Sequence, residues 1–156
     1  MPNTTYAGFW KRFVAYLIDS VLLGFASFIL LLPAIGLTGL GAAMNSDDIG
    51  DGSPALGILA VGTFGLTLLV ITVGGWLYFA LMESSARGGT LGKMALGLKV
   101  TDMSGNRISF GRATGRYFAK LLSGAIMGLG YIMAGFTQQK QALHDIIAGC
   151  LVVAQK

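Results

Sequence analysis

The sequence predicts an all-α membrane protein. It has two transmembrane helices, then a third span or a re-entrant helical hairpin, with a small cytoplasmic β-hairpin or three-stranded element. Three observations lead there. First, 54% of the 156 residues are hydrophobic and only 12% are charged, about half the charge of an ordinary soluble domain. Second, two apolar runs are long enough to cross a hydrocarbon core, which takes about 20 helical residues. Third, the charges are sorted along the chain. Asp47, Asp48 and Asp51 lie together between the runs, whereas Lys11 and Arg12 precede the first. Arg87, Lys93, Lys99, Arg107, Arg112, Arg116 and Lys120 all follow the second.

The first span is placed at about residues 10–34, with Trp10 and Tyr16 at the depth of the aromatic belt and Pro33 near its far end. Its core, Phe13 to Leu32, contains Asp19. A carboxylate in mid-span costs on the order of 2.5–3.5 kcal/mol on insertion scales, so a partner must face it. A secretory signal fits this run poorly, because it is long, acidic and lacks a small-residue cleavage site. A glycine-rich acidic loop then runs to Pro54. The second span, about 55–82, carries no charge until Glu83, and Gly57, Gly62, Gly65, Gly74 and Gly75 allow close helix approach.

Residues 84–115 form the one sizeable polar segment. GTLGKMALG reads as a short interfacial helix, and LKVTD and RISF read as two strands joined by a turn at MSGN. Arg112, Arg116 and Lys120 recur every four residues, which places three cations on one helix face and reads as a snorkelling anchor. Lys and Arg collect on the cytoplasmic side. The N-terminus and 84–115 are therefore expected inside, and the acidic loop outside, a bacterial cytoplasmic (inner) membrane. The net charge of +4 then reflects contact with anionic lipid heads and not nucleic acid.

The third apolar run, about 117–136, is broken by Gly124, Gly128, Gly130 and Gly135. A single crossing would leave Lys140, His144 and Asp145 outside; a re-entrant hairpin would return the tail to the cytoplasm. Two features favour the return: Lys140 is basic, and CLVVA is a strand-like segment whose natural partner is the LKVTD/RISF hairpin. Gly124 and Gly128 form a small-xxx-small pair suited to packing.

Intramembrane charge is the natural place to look for function. Arg12 and Asp19 lie two helical turns apart, on one face with Ala15, Tyr16 and Leu23, about 10 Å from each other along the axis. They are too far apart to pair, so Arg12 is expected to bridge to Asp145 or Glu83, and the Asp19 face to pack on residues 84–100 and the Asp145 turn. Arg12, Asp19, Asp145 and Glu83 are thus the candidate ion or proton site. Other motifs are weak. GGTLGKM lacks the glycine spacing of a phosphate loop. His144 and Asp145 are adjacent, point apart on a helix, and have no Ser or Cys nucleophile placed near them. One histidine and the single Cys150 make no metal site, and Cys150 reads as a packing residue. No catalytic residue, cofactor or metal is predicted, and the protein is not expected to be an enzyme.

GFWKRFVAYLIDSVLL, GTLGKMALGLKVTDMSGNRISFGRATGRY and QALHDIIAGCLVV, in this order, closely resemble the RDD family of small membrane proteins. The resemblance covers nearly the whole chain as a single domain, residues 1–156, and only the acidic loop looks individual. The family is named for an arginine and two aspartates, which fall here at Arg12, Asp19 and Asp145. The resemblance implies transport, including exchange of monovalent cations for protons, with Asp19 and Asp145 binding the ion and Arg12 tuning them. Since so few helices rarely enclose a solute path, transport implies a homo-oligomer. The alternative is a non-transporting membrane scaffold or accessory subunit whose charged cluster is structural.

Overall fold

A computed structural model describes residues 5–44, 54–126 and 128–155. In chain order the elements are α1 (Phe9–Met44), α2 (Pro54–Ser84), α3 (Leu91–Ala95), β1 (Leu98–Asp102), α4 (Phe110–Ala125), α5 (Leu129–Phe136), α6 (Leu143–Ala148) and β2 (Cys150–Ala154). They form two compact units. One comprises residues 22–75, with the later part of α1 and the earlier part of α2; the other comprises residues 1–21 and 76–156.

Among the described residues, α1 and α2 are the two helices long and apolar enough to span a membrane. Their apolar side chains point outward, including Phe25, Phe28, Ile58 and Val61. In water this would be an aggregation hazard; in lipid it is the required surface. The Thr38, Thr67 and Thr72 hydroxyls each donate to the carbonyl four residues back, at 2.8 Å, so these hydroxyls are satisfied within their own helices. α1 continues past Pro33, which lies inside it, and does not end near residue 34 as expected. Without water to take up freed backbone groups, a helix in hydrocarbon gains more by continuing past a proline than by fraying. Pro54 opens α2, where its missing N–H costs nothing. The acidic stretch Asp47, Asp48 and Asp51 lies outside the described residues.

The other unit is built around a small sheet. β1 and β2 pair antiparallel, from Leu98 opposite Ala154 to Asp102 opposite Cys150. CLVVA therefore pairs with LKVTD, one of the two segments of the hairpin expected as its partner. RISF, however, is not a strand. The Asp102 carboxylate accepts the Ser104 and Asn106 amides at 2.9 and 2.8 Å, which makes the turn at MSGN. The chain then leaves the sheet: Arg107 Nε donates to the Ser84 carbonyl, Ile108 is buried, and Ser109 caps α4 by accepting the Arg112 amide at 3.3 Å. The second edge of β2 is met by the N-terminal residues, through an isolated bridge between Tyr6 and Val153. The Ala7 amide donates to the Val152 carbonyl at 2.9 Å. The core beneath is made mostly of small side chains, among them Ala7, Ala15, Ala80, Val100, Ala113, Cys150 and Val152.

α4 and α5 meet at a bend of 102°. Gly128 sits at this bend with φ of 77°, a left-handed conformation that glycine adopts without strain. Gly124 and Gly128 thus share no helix, and the expected small-residue pair does not form. The close approach is made instead by Gly130, where an added Cβ would lie 2.8 Å from the Ser123 side chain.

Candidate functional site

Two polar networks lie side by side in the unit of residues 1–21 and 76–156. The first surrounds Asp19, which is 1% exposed. Its Oδ1 accepts the Tyr78 hydroxyl and the Gly92 amide, both at 2.8 Å, and its Oδ2 accepts the Thr90 hydroxyl at 2.5 Å. The Tyr78 oxygen in turn accepts the Leu91 amide at 3.0 Å. Asp19 therefore satisfies one orphan donor at the start of α3, the Gly92 amide, from a different helix, the work an N-cap side chain does locally, and Tyr78 takes the Leu91 amide. Thr90 itself makes no side-chain capping bond. Only glycine fits at position 92, because a Cβ there would lie 2.1 Å from the Ala15 carbonyl oxygen.

The second network is a chain of ion pairs centred on Arg116. Its Nη1 donates to Glu83 Oε2 at 2.6 Å, while Nη2 and Nε donate to Asp145 Oδ1 at 2.6 and 2.8 Å. Glu83 Oε1 also meets Lys93 Nζ, and Lys120 Nζ at 3.4 Å. Asp145 Oδ2 meets Arg12 Nη1 and the Ala142 amide, the latter at 3.1 Å. Arg12 extends the chain by donating to the Ala7 carbonyl at 2.8 Å and the Lys140 carbonyl at 2.5 Å. Six segments are joined in this way: the residues before α1, then α1, α2, α3, α4, and α6 with the turn leading into it.

Burial sets the electrostatics. Burial by itself would raise the Asp145 pKa, but the neighbouring Arg116 and Arg12 overcome it and hold the carboxyl well below its usual range. Burial lowers the Lys93 pKa, with the Glu83 charge working against it. His144 is driven down to about 2, first by burial and then by Arg116, so it is neutral. Its Nδ1 lies 3.3 Å from Ser123 Oγ and its Nε2 lies 3.5 Å from Asp145 Oδ1. A serine is thus brought next to this histidine, contrary to expectation, because the α4–α6 packing joins residues 21 apart in sequence. Ser123 is fully buried and donates to the Ala119 carbonyl at 3.2 Å, so the three residues are a packed contact. Burial likewise raises the Cys150 thiol to about 11, in keeping with a packing role.

The four sequence candidates are therefore divided. Arg12, Glu83 and Asp145 come together, and Arg12 chooses Asp145. Asp19 stands in its own network, with no ion pair to the other three among the described residues. Its face does pack on residues 90–92, as expected. Three partners were not among the candidates: Arg116, Lys93 and Lys120. Arg116, read as a snorkelling anchor, is only 2% exposed. The available signal was a charge imbalance, since Glu83 and Asp145 are two carboxylates for which Arg12 alone had been offered. A cavity of about 560 Å³ lies against both networks, lined by Arg12, Asp19, Lys93, Arg116 and Lys120 together with aromatic and aliphatic side chains such as Phe13 and Ile132.

The family model described as the RDD family matches residues 6–149. Over 147 residues the chain is 40% identical to "Uncharacterized protein YxaI" of Bacillus subtilis (strain 168), covering 94% of this chain and 96% of that one. It is 31% identical over 157 residues to "Uncharacterized membrane protein YteJ" of the same organism, covering 97% of this chain and 82% of that protein. No solved structure matches. With two apolar spans, a buried ion pair between Arg12 and Asp145, and a match over nearly its whole length, this chain is an integral membrane protein that belongs to the RDD family.

Proposed function

We propose that the protein is a non-transporting, non-enzymatic membrane scaffold whose charged cluster is a structural clasp. One observation carries this reading: both oxygens of all three buried carboxylates among the described residues already accept hydrogen bonds from the protein itself. Asp19 is served by Tyr78, Thr90 and Gly92, Glu83 by Lys93, Lys120 and Arg116, and Asp145 by Arg12, Arg116 and Ala142. A bound monovalent cation would have to displace one of these donors, several of them cationic. Exchange of cations for protons, which the family resemblance implies, fits such a site less well. It would also require several copies to enclose a path.

In this reading the N-terminus, residues 84–115 and the tail share the cytoplasmic side of an inner membrane, and the bent α4–α5 pair is re-entrant. The pairing of β1 with β2 supports this, because two hydrogen-bonded strands lie on one side. The Lys and Arg bias supports the side chosen. Accordingly, a cysteine placed at Ser104 and a reporter fused after Lys156 should both report the cytoplasm. A tail reporter active only in the periplasm would exclude the re-entrant reading. The function itself is tested in proteoliposomes. Sodium, potassium and proton fluxes are expected to equal those of empty liposomes; a flux abolished by Asp19→Asn in a still-folded protein would overturn the scaffold reading.

A further inference from the structure

The clasp is richer in cations than in anions. Arg12, Lys93, Arg116 and Lys120 face Glu83 and Asp145, and counting Asp19, which lines the same cavity, still leaves one positive charge unmatched. Buried charge without a counter-charge is costly. The odd member is Lys120. It stands 3.4 Å from a Glu83 oxygen that Lys93 already holds more closely, and its side chain is 18% exposed, the most of the four cations. Its ammonium lies 4.3 Å from the centre of the Phe79 ring.

The cavity that Lys120 borders has two characters. Its lining includes Lys93 and Arg116, both buried, and Lys120, whereas Phe13, Leu121 and Ile132 in the same lining are exposed. An exposed apolar wall beside buried cations is the complement of a molecule with an anionic head and a hydrocarbon tail. The place in the chain agrees. The cations cluster where α1 begins and α2 ends, which is headgroup depth for spanning helices, and Trp10 lies exposed on the first turn of α1. We infer that this cavity is a binding site for one anionic phospholipid, with its phosphodiester on Lys120 and Lys93 and an acyl chain along Phe13, Leu121 and Ile132. A phosphodiester carries one negative charge, which offsets the excess of four cations over the three carboxylates. A zwitterionic headgroup would bring a further ammonium towards four cations and is disfavoured.

The probes are phosphatidylglycerol, phosphatidylcholine and glycerol phosphate, each added to the full-length protein in detergent, with bound lipid counted by native mass spectrometry. Phosphatidylglycerol should be retained at one copy and phosphatidylcholine should not. Glycerol phosphate, with a head and no tail, should not compete at equal concentration. Lys120→Gln should weaken retention about tenfold, as expected for one charge-assisted contact, whereas Arg112→Gln, an exposed cation on the same helix, should leave it unchanged. Ile132→Trp keeps every charge and fills the wall, and should also reduce retention. Equal retention of both lipids, full competition by glycerol phosphate, or wild-type retention in both Lys120→Gln and Ile132→Trp would each overturn the assignment.

Discussion

Replacing Asp145 with asparagine keeps the shape of the side chain and removes the charge at the middle of the clasp. In the native fold Oδ1 accepts twice from Arg116, and Oδ2 accepts from Arg12 and the Ala142 amide. An asparagine can keep its carbonyl towards Arg116, but its amide group then points donors at the Arg12 guanidinium and at the Ala142 amide. Two cations lose their shared counter-charge, and the cap on the α6 turn opens. Breaking a buried pair from one side costs about 3–5 kcal/mol, a large share of the roughly 5–15 kcal/mol that holds a domain. At about 2–4 °C per kcal/mol for a chain of this length, melting should fall by roughly 6–20 °C. Cys150 supplies the assay, because it is the single cysteine and is fully buried, so a thiol-reactive fluorophore reports unfolding in detergent. Arg12→Gln combined with Asp145→Asn should cost less than the sum of the two single changes. An Asp145→Asn protein that melts within about 2 °C of wild type, or strict additivity in the double variant, would refute the clasp.

Two other outcomes follow from the same geometry. Gly92→Ala would place a methyl carbon 2.1 Å from the Ala15 carbonyl oxygen, so α3 must move off α1 and the Asp19–Gly92 bond must lengthen; a loss of at least about 1–3 kcal/mol is expected, and unchanged melting would show that the packing is not needed. The pH dependence should centre on His144, which the fold keeps neutral with a pKa lowered to about 2 from 6.5, chiefly by burial. The unfolded chain takes up this proton below pH 6.5 and the folded chain does not, so stability falls as pH falls. The loss between pH 7 and pH 5 is about 2 kcal/mol. Asp145 is depressed and adds its own loss only as pH drops below its ordinary value of 3.8. Melting of His144→Gln should be nearly flat between pH 7 and pH 5, and a slope equal to wild type would exclude His144 as its source.

By itself the sequence determined that this chain lives in a membrane, that two of its apolar runs are long enough to span it, and that Arg12, Glu83 and Asp145 need partners. Each of these is a local property. A run of apolar residues forms a span whatever surrounds it, and a carboxylate beside such a run is costly in any context. It also indicated that CLVVA joins the LKVTD/RISF segment, since a lone β-branched strand leaves its backbone unpaired. The tertiary structure alone decided the rest. It took RISF out of the sheet, because Asp102 bends the chain and Ile108 is needed in the core. It carried α1 through Pro33, because lipid offers the backbone no alternative to the helix. It withdrew Arg116 from the surface to join Glu83, 33 residues away, with Asp145, 29 residues away, and it gave Asp19 the Gly92 amide and the Tyr78 and Thr90 hydroxyls. Such pairings depend on where several segments close on one another. Spacing within one helix encodes the face a charge occupies, but not what another segment brings to that face.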